Sequence, residues 1–227
     1  MQYTPKAFYS GTDSFTYTVQ DKAGLTSTAT VNVTINAVNS PPVAVNDAAM
    51  TNEDTVVTIN VLANDSDPNL GDTISIKSVG TPSKGTASIV SGKILYTPSL
   101  NYNGIDSFSY IIQDSQGATS SATATITVNA VNDAPTAKND ISSTNQNAPL
   151  VLNFNSLTSN DTDPDIGDSL TIASVSNPLN GVVTINFLSN SITYTPTINF
   201  VGTGSFQYTV TDGNGGTSVA TVTVTVI

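Results

Sequence analysis

One segment occurs three times in this chain, and that recurrence limits the fold more than any other feature. YTPKAFYSGTDSFTYTVQD starts at Tyr3, YTPSLNYNGIDSFSYIIQD at Tyr96 and YTPTINFVGTGSFQYTVTD at Tyr194. The segments ahead of the second and third copies also correspond. PVAVND from Pro42 matches PTAKND from Pro135, and ANDSDPNLGD from Ala63 matches SNDTDPDIGD from Ser159. The few extra residues of the last copy fall on either side of that acidic loop. Self-similarity at a fixed period means one structural unit used repeatedly. The expected division is a truncated repeat over 1–40, holding only the rear of a unit, and full repeats over 41–132 and 133–227. A period of about 100 residues is the size of an immunoglobulin-like sandwich.

Strands follow from alternation with period two. Ala122, Ala124, Ile126 and Val128 share one face, with threonines between them. Val222, Val224 and Val226 repeat the pattern, as do Val31, Val33 and Ile35. Of the 15 Tyr and Phe residues, 12 fall on four equivalent places, represented by Tyr96, Tyr102, Phe108 and Tyr110. Identical placement in every copy fits core packing better than a sugar-binding stripe. Each full repeat reads as about seven strands, covering 43–50, 55–62, 73–79, 85–90, 93–97, 106–113 and 120–130 in the first, with no helix evident. The fold class is all-β, in tandem Greek-key sandwiches of two antiparallel sheets.

Composition excludes several functions. The chain has 17 acidic residues against 6 lysines, a net charge of −11, and no Cys, His, Trp or Arg. That charge disfavours nucleic acid and anionic membrane and favours cations. Histidine, the usual general base, is missing, and Glu53 is the only glutamate, in a turn with no companion cleft. The chain therefore reads as a non-enzyme. No apolar run is long enough for a membrane span. Strand-like sequence directly after Met1 suggests a piece of a longer chain.

The acidic residues fall at the ends of the expected sandwich. The loop holding Asp65 and Asp67, the loop at Asp114 and the linker lie at the top; Glu53, Asp54 and Asp106 lie at the bottom. If repeats stack end to end, Glu53, Asp54 and Asp106 face Asn132, Asp133, Asp161, Asp163 and Asp212. So many carboxylates in one place need a counter-charge. Ca2+ suits them, because it takes about 6–8 oxygen ligands in flexible geometry. Asp72 and Asp168 open the next strand, and the sequence leaves them either as turn caps or as ligands of a second ion.

The linker Asn132-Asp133-Ala134-Pro135, the turn Asn52-Glu53-Asp54 and the Asp-x-Asp-Pro loop resemble those of cadherin-like repeats, and more closely the tandem cadherin-like or bacterial Ig-like repeats of large bacterial surface adhesins. The resemblance covers essentially the whole chain. It implies an extracellular, cell-surface location, Ca2+ at the linkers and a rigid rod that projects an adhesive tip. Carried over residue by residue, the linker ligands fall on Asn132 and Asp133, the bottom ligands on Glu53, Asp54 and Asp106, and the top ligands on Asp161, Asp163 and Asp212.

The chain departs from the pattern in three places. The first linker, Asn39-Ser40-Pro41-Pro42, lacks the aspartate, leaving Asp13, Asn39, Asp65, Asp67 and Asp114 for a weaker upper site. The last repeat carries Asn145-Gln146-Asn147 and Gly204 where the first full repeat has Asn52-Glu53-Asp54 and Asp106. This predicts no calcium junction below it, the last repeat either ending its array or meeting a different kind of domain. Residues 1–40 lack partners for their apolar face. Either they pack on a neighbouring repeat or strands of another copy complete them. The rival function is a carbohydrate-binding module using the off-pattern aromatics Phe8, Phe154 and Phe187. Asp54-Thr-Val, Asp72-Thr-Ile and Asp168-Ser-Leu resemble short acceptor sites for bacterial O-glycosylation.

Overall fold

The structure, a computed structural model, describes residues 1–227. It separates into two compact units, Met1–Ala130 and Val131–Ile227.

In the first unit, a hairpin of β1 (Gly11–Gln20) and β2 (Thr26–Ile35) precedes a complete sandwich. The sandwich runs through β3 (Asp47–Asn52), β4 (Val57–Ile59), a 3-10 turn (Val61–Ala63), β5 (Ser75–Val79), β6 (Gly85–Val90), β7 (Lys93–Pro98), β8 (Gly104–Gln113) and β9 (Thr119–Asn129). One sheet has the order β3-β9-β8-β5 and the other β4-β7-β6. The second unit repeats this plan. It contains β10 (Asp140–Thr144), β11 (Leu150–Asn153), α1 (Phe154–Thr158), β12 (Thr171–Leu179), β13 (Gly181–Asn186), β14 (Ser191–Pro196), β15 (Gly202–Thr211) and β16 (Thr217–Val226). Its sheets are β10-β16-β15-β12 and β11-β14-β13.

The all-β, seven-strand plan matches the expectation, with two corrections. The sheets are not wholly antiparallel. β3 pairs parallel with β9, and β10 with β16. Seven strands that alternate in direction leave the first and last pointing the same way, so when they become neighbours they must be parallel. The second correction is the short helix α1. It takes up the extra residues that the last repeat carries before its acidic loop, and buries Phe154 and Leu157.

Alternation along the strands becomes burial. Phe108, Tyr110 and Ile112 are buried while the residues between them are not. They meet Ala124, Ile126 and Val128 of β9 and Ile94 and Tyr96 of β7 in one core cluster. Tyr194, Phe206, Tyr208 and Val210 form the equivalent core with Val222, Val224 and Val226. Tyr96 stacks on Phe108 and Tyr194 on Phe206, with centroids 6.1 and 5.9 Å apart. The repeated aromatics are therefore core, and each buried ring side chain contributes roughly 1.5–3 kcal/mol. Of the off-pattern aromatics, Phe154 is buried and Phe187 packs edge-on against it at 6.1 Å. Phe8 is exposed, in the first unit; with Phe154 buried, the three are not a set of exposed aromatics.

Candidate metal centre

Two loops at the top of each complete repeat bring three carboxylates together. In the first, Asp67 and Asp72 come from the segment between the 3-10 turn and β5, and Asp114 from the turn after β8. One oxygen from each lies within 4.8 Å of the others. Asp163, Asp168 and Asp212 form the same cluster in the second unit. Local turn chemistry positions each residue. Asp67 Oδ1 accepts the Asn69 N–H at 2.7 Å, and Asp163 Oδ1 the Asp165 N–H at 2.9 Å. The second oxygen of each, Oδ2, is buried without a hydrogen-bond partner. A buried carboxylate oxygen left unpaired is costly, and here it sits beside two more carboxylates.

Asp114 and Asp212 are 4% and 5% exposed. Asp114 Oδ1 accepts the Gln116 and Ala118 amides, both at 2.9 Å. Asp212 Oδ1 accepts those of Asn214, Gly215 and Gly216 at 2.7–3.0 Å. The other oxygen of each reaches the incoming linker: Asn39 Nδ2 donates to Asp114 Oδ2 at 2.8 Å and Asn132 Nδ2 to Asp212 Oδ2 at 2.9 Å. A second tie lies alongside, where the Ser40 N–H donates to Asn69 Oδ1 and the Asp133 N–H to Asp165 Oδ2. The Asn132 amide, with the turn amides, holds the Asp212 carboxyl below the usual carboxylate range. At Asp114, burial pushes the carboxyl upward, but the bonds from Asn39 and the turn amides outweigh it and the net shift is downward. Both carboxylates are thus kept ionised.

Asp72 and Asp168, which the sequence allows as either turn caps or ligands, both belong to these clusters. The signal available in the sequence was their fixed position five residues after Asp67 and Asp163.

Several other expected ligands make bonds within their own repeats. Asp65 and Asp161 turn into their own repeats. Asp65 Oδ1 accepts the Val45 N–H and Asp161 Oδ1 the Lys138 N–H, each at 2.7 Å. They flank the buried hydroxyls of Tyr110 and Tyr208, which donate to Asp47 Oδ2 at 2.7 Å and Asp140 Oδ2 at 2.8 Å. Burial, then the neighbouring Asp47 charge, push the Asp65 carboxyl up against the pull of the Val45 amide.

Asp106 is 3% exposed and its oxygens are spent within the fold. It accepts hydrogen bonds from the Ser83 amide and hydroxyl, the Lys84 and Ser107 amides and the Tyr96 hydroxyl, at 2.9–3.1 Å. A carboxylate offers about four lone-pair sites, so this set leaves no room for an ion. Asp13 has its own partners, the Tyr3 hydroxyl and the Ser14 amide. Glu53 is buried at the end of β3, and its N–H donates to Asn129 O. Asp54, at φ 55°, accepts the Asn101 N–H at 2.9 Å. Asn147, at φ 62°, accepts the Asn199 N–H at 2.7 Å in the same way. Replacing Asp54 by Asn in the last repeat thus keeps the bond and discards the charge. At Gly204, the counterpart of Asp106, a Cβ would collide with the Tyr194 hydroxyl, which donates instead to Leu179 O.

A family model described as bacterial Ig domain matches residues 1–34, 39–127 and 132–225. The chain belongs to the bacterial Ig domain family. Among curated proteins none matches its sequence. Among solved structures, this bacterial Ig chain aligns with human CDH23 EC21-23 at a TM-score of 0.48 and 14% identity, over 83% of this chain and 70% of that one. Protocadherin gammaB7 EC3-6, in a cis-dimer structure, aligns at 0.50 and 16%, over 96% and 58%. An endo-fucoidan hydrolase of glycoside hydrolase family 107 aligns at 0.31 and 19%, over 99% of this chain and 35% of the hydrolase. The likeness to the protocadherin is one of fold. Bacterial Ig domains are non-enzymatic repeats of the extracellular structural or adhesion type.

Proposed function

We propose that this bacterial Ig chain is a spacer segment of a cell-surface adhesin, stiffened by Ca2+ held at the Asp67/Asp72/Asp114 and Asp163/Asp168/Asp212 clusters. The observation that carries the reading is the convergence of three carboxylates within 4.8 Å at the same place in both repeats, with one buried oxygen in each left unpaired. An oxygen-only, all-carboxylate donor set suits a hard cation, and its loop origin suits the flexible geometry of Ca2+ more than the strict octahedron of Mg2+. The same carboxylates hold the incoming linker through Asn39 and Asn132. An ion bound there would fix the linker and the top loops as one body. The role is support: the segment carries an adhesive tip away from the cell and does no chemistry of its own.

Calorimetry of the full chain with Ca2+ and with a chelator tests this. Binding to the native state alone raises the melting temperature by mass action. An unchanged melting temperature together with no binding heat would refute it.

A further inference from the structure

We propose that Asn214 is a self-modifying position: its side chain loses ammonia to the following glycine and becomes aspartate or isoaspartate, which adds a fourth carboxylate to the Asp163/Asp168/Asp212 cluster. The consequence for cation binding rests on the reading above; the modification itself does not.

Asn103, Asn180 and Asn214 each precede a glycine. An asparagine in that setting is open to attack by the next backbone nitrogen, because glycine has no Cβ to block the approach and its backbone turns freely. Two of the three are held back. Gly104 opens β8 opposite Val128, and Gly181 opens β13 opposite Pro196, so strand pairing restrains the backbone around both. The Asn180 side chain is also tied down, donating to Thr203 O at 2.9 Å. Asn214 and Gly215 are exposed in the turn between β15 and β16, outside any strand. The Gly215 N–H donates to Asp212 Oδ1 at 3.0 Å, which sets a carboxylate against the proton that this nitrogen must give up.

In the reaction the Gly215 nitrogen forms a bond to Asn214 Cγ, the Cγ–Nδ2 bond breaks, and ammonia leaves with the proton from the Gly215 N–H. Water then opens the cyclic imide at either carbonyl. No electrons are transferred, and water is the only reagent consumed. What changes is the charge. The Asn214 side chain donates from Nδ2 to Asp168 Oδ2 at 2.9 Å. Conversion turns that donor into a carboxylate, beside three others that already lie within 4.8 Å of one another. Like charges so placed repel unless a cation joins them, and more ligand charge raises affinity for Ca2+. The first repeat provides the contrast. There Gln116, ahead of Gly117, donates to Asp72 Oδ2 at 3.2 Å. Its side chain is one methylene longer, so the same attack must close a larger ring and is far slower.

The test ages the full chain at mildly alkaline pH in chelator and maps its peptides by mass spectrometry, with isoaspartate resolved by chromatography. Asn214 is expected to convert ahead of Asn103 and Asn180, while Gln116 stays intact and Asn214→Gln shows no conversion in this turn. Calorimetry then compares the fresh chain with Asn214→Asp, which should bind Ca2+ about tenfold more tightly at one site. An Asn214 that converts no faster than Asn103 and Asn180 would overturn the modification. Equal Ca2+ affinity in the fresh chain and Asn214→Asp would overturn its link to the cluster. Binding heat absent from both would refute the cation reading instead, and the peptide map would still decide the modification.

Discussion

Asp106 shows how a single carboxylate can look like a ligand and be a rivet. It ties the loop before β6 to β8 and to the Tyr96 ring. Asp106→Ala removes the acceptor of three amides, a serine hydroxyl and a buried phenol, and is expected to destabilise its repeat by about 3 kcal/mol, read by chemical denaturation. Burial alone would raise the Asp106 carboxyl, but the Tyr96 hydroxyl and the backbone amides hold it net below its ordinary value. A depressed folded-state pKa gives stability that is complete above the unfolded value of about 3.9 and is lost as pH falls through the folded one. Acid unfolding of the first complete repeat should therefore lose part of its pH dependence below about pH 4 in Asp106→Asn. The sequence did contain the clue. Asp106 has the same parity as Phe108 and Tyr110 in one strand, which puts it on the core face. Asp65 and Asp67 gave no such clue. In a loop, two residues of separation carry no periodicity: Asp65 turns inward onto the N–H of Val45, distant in sequence, while the local Asn69 N–H holds Asp67 at the cluster.

At the scale of elements, strands were readable because one face of each sheet is buried and alternation records it. Pairing partners were less readable. The parallel neighbours β3–β9 and β10–β16 meet through contacts distant in sequence, which alternation does not encode. Helix α1 was missed because its five residues complete barely more than one turn, and its apolar pair Phe154 and Leu157 could equally serve a strand and a loop. Tyr208 shows how the elements are tied: its hydroxyl donates to Lys138 O and Asp140 Oδ2, joining β15 to the segment that leads into β10. Tyr208→Phe removes a buried donor from both acceptors and is expected to cost about 1–3 kcal/mol. The loss should appear in exchange as faster opening of β10 relative to β15.

For the whole molecule, a net charge of −11 with its carboxylates gathered at loops means that stability depends on what neutralises them. If the two clusters hold Ca2+ as proposed, a concentration about 100 times the dissociation constant would stabilise each repeat by about 2.7 kcal/mol. The double variant Asp67→Asn, Asp163→Asn should abolish the calcium-dependent rise in melting temperature. In chelator the same variant should melt no lower than the wild type, because it removes a like-charge contact. A variant that still responds fully to Ca2+ would place the ions elsewhere.

The parallel pairing of the first and last strands has a further consequence. In each complete repeat the chain comes in along β3 or β10 and leaves along β9 or β16, and the two strands run side by side in the same direction, as in the register from Asp47–Ala124 to Asn52–Asn129. Pulling the two ends of a repeat apart therefore drags these strands lengthwise past each other. Their backbone hydrogen bonds share the load and must fail together, whereas a hairpin such as β1–β2, pulled at its two free ends, opens one bond at a time. A repeat pulled along the chain is thus loaded in its most resistant geometry, and stretching single molecules should show high, well-separated rupture peaks for the two sandwiches and none of that height for the hairpin.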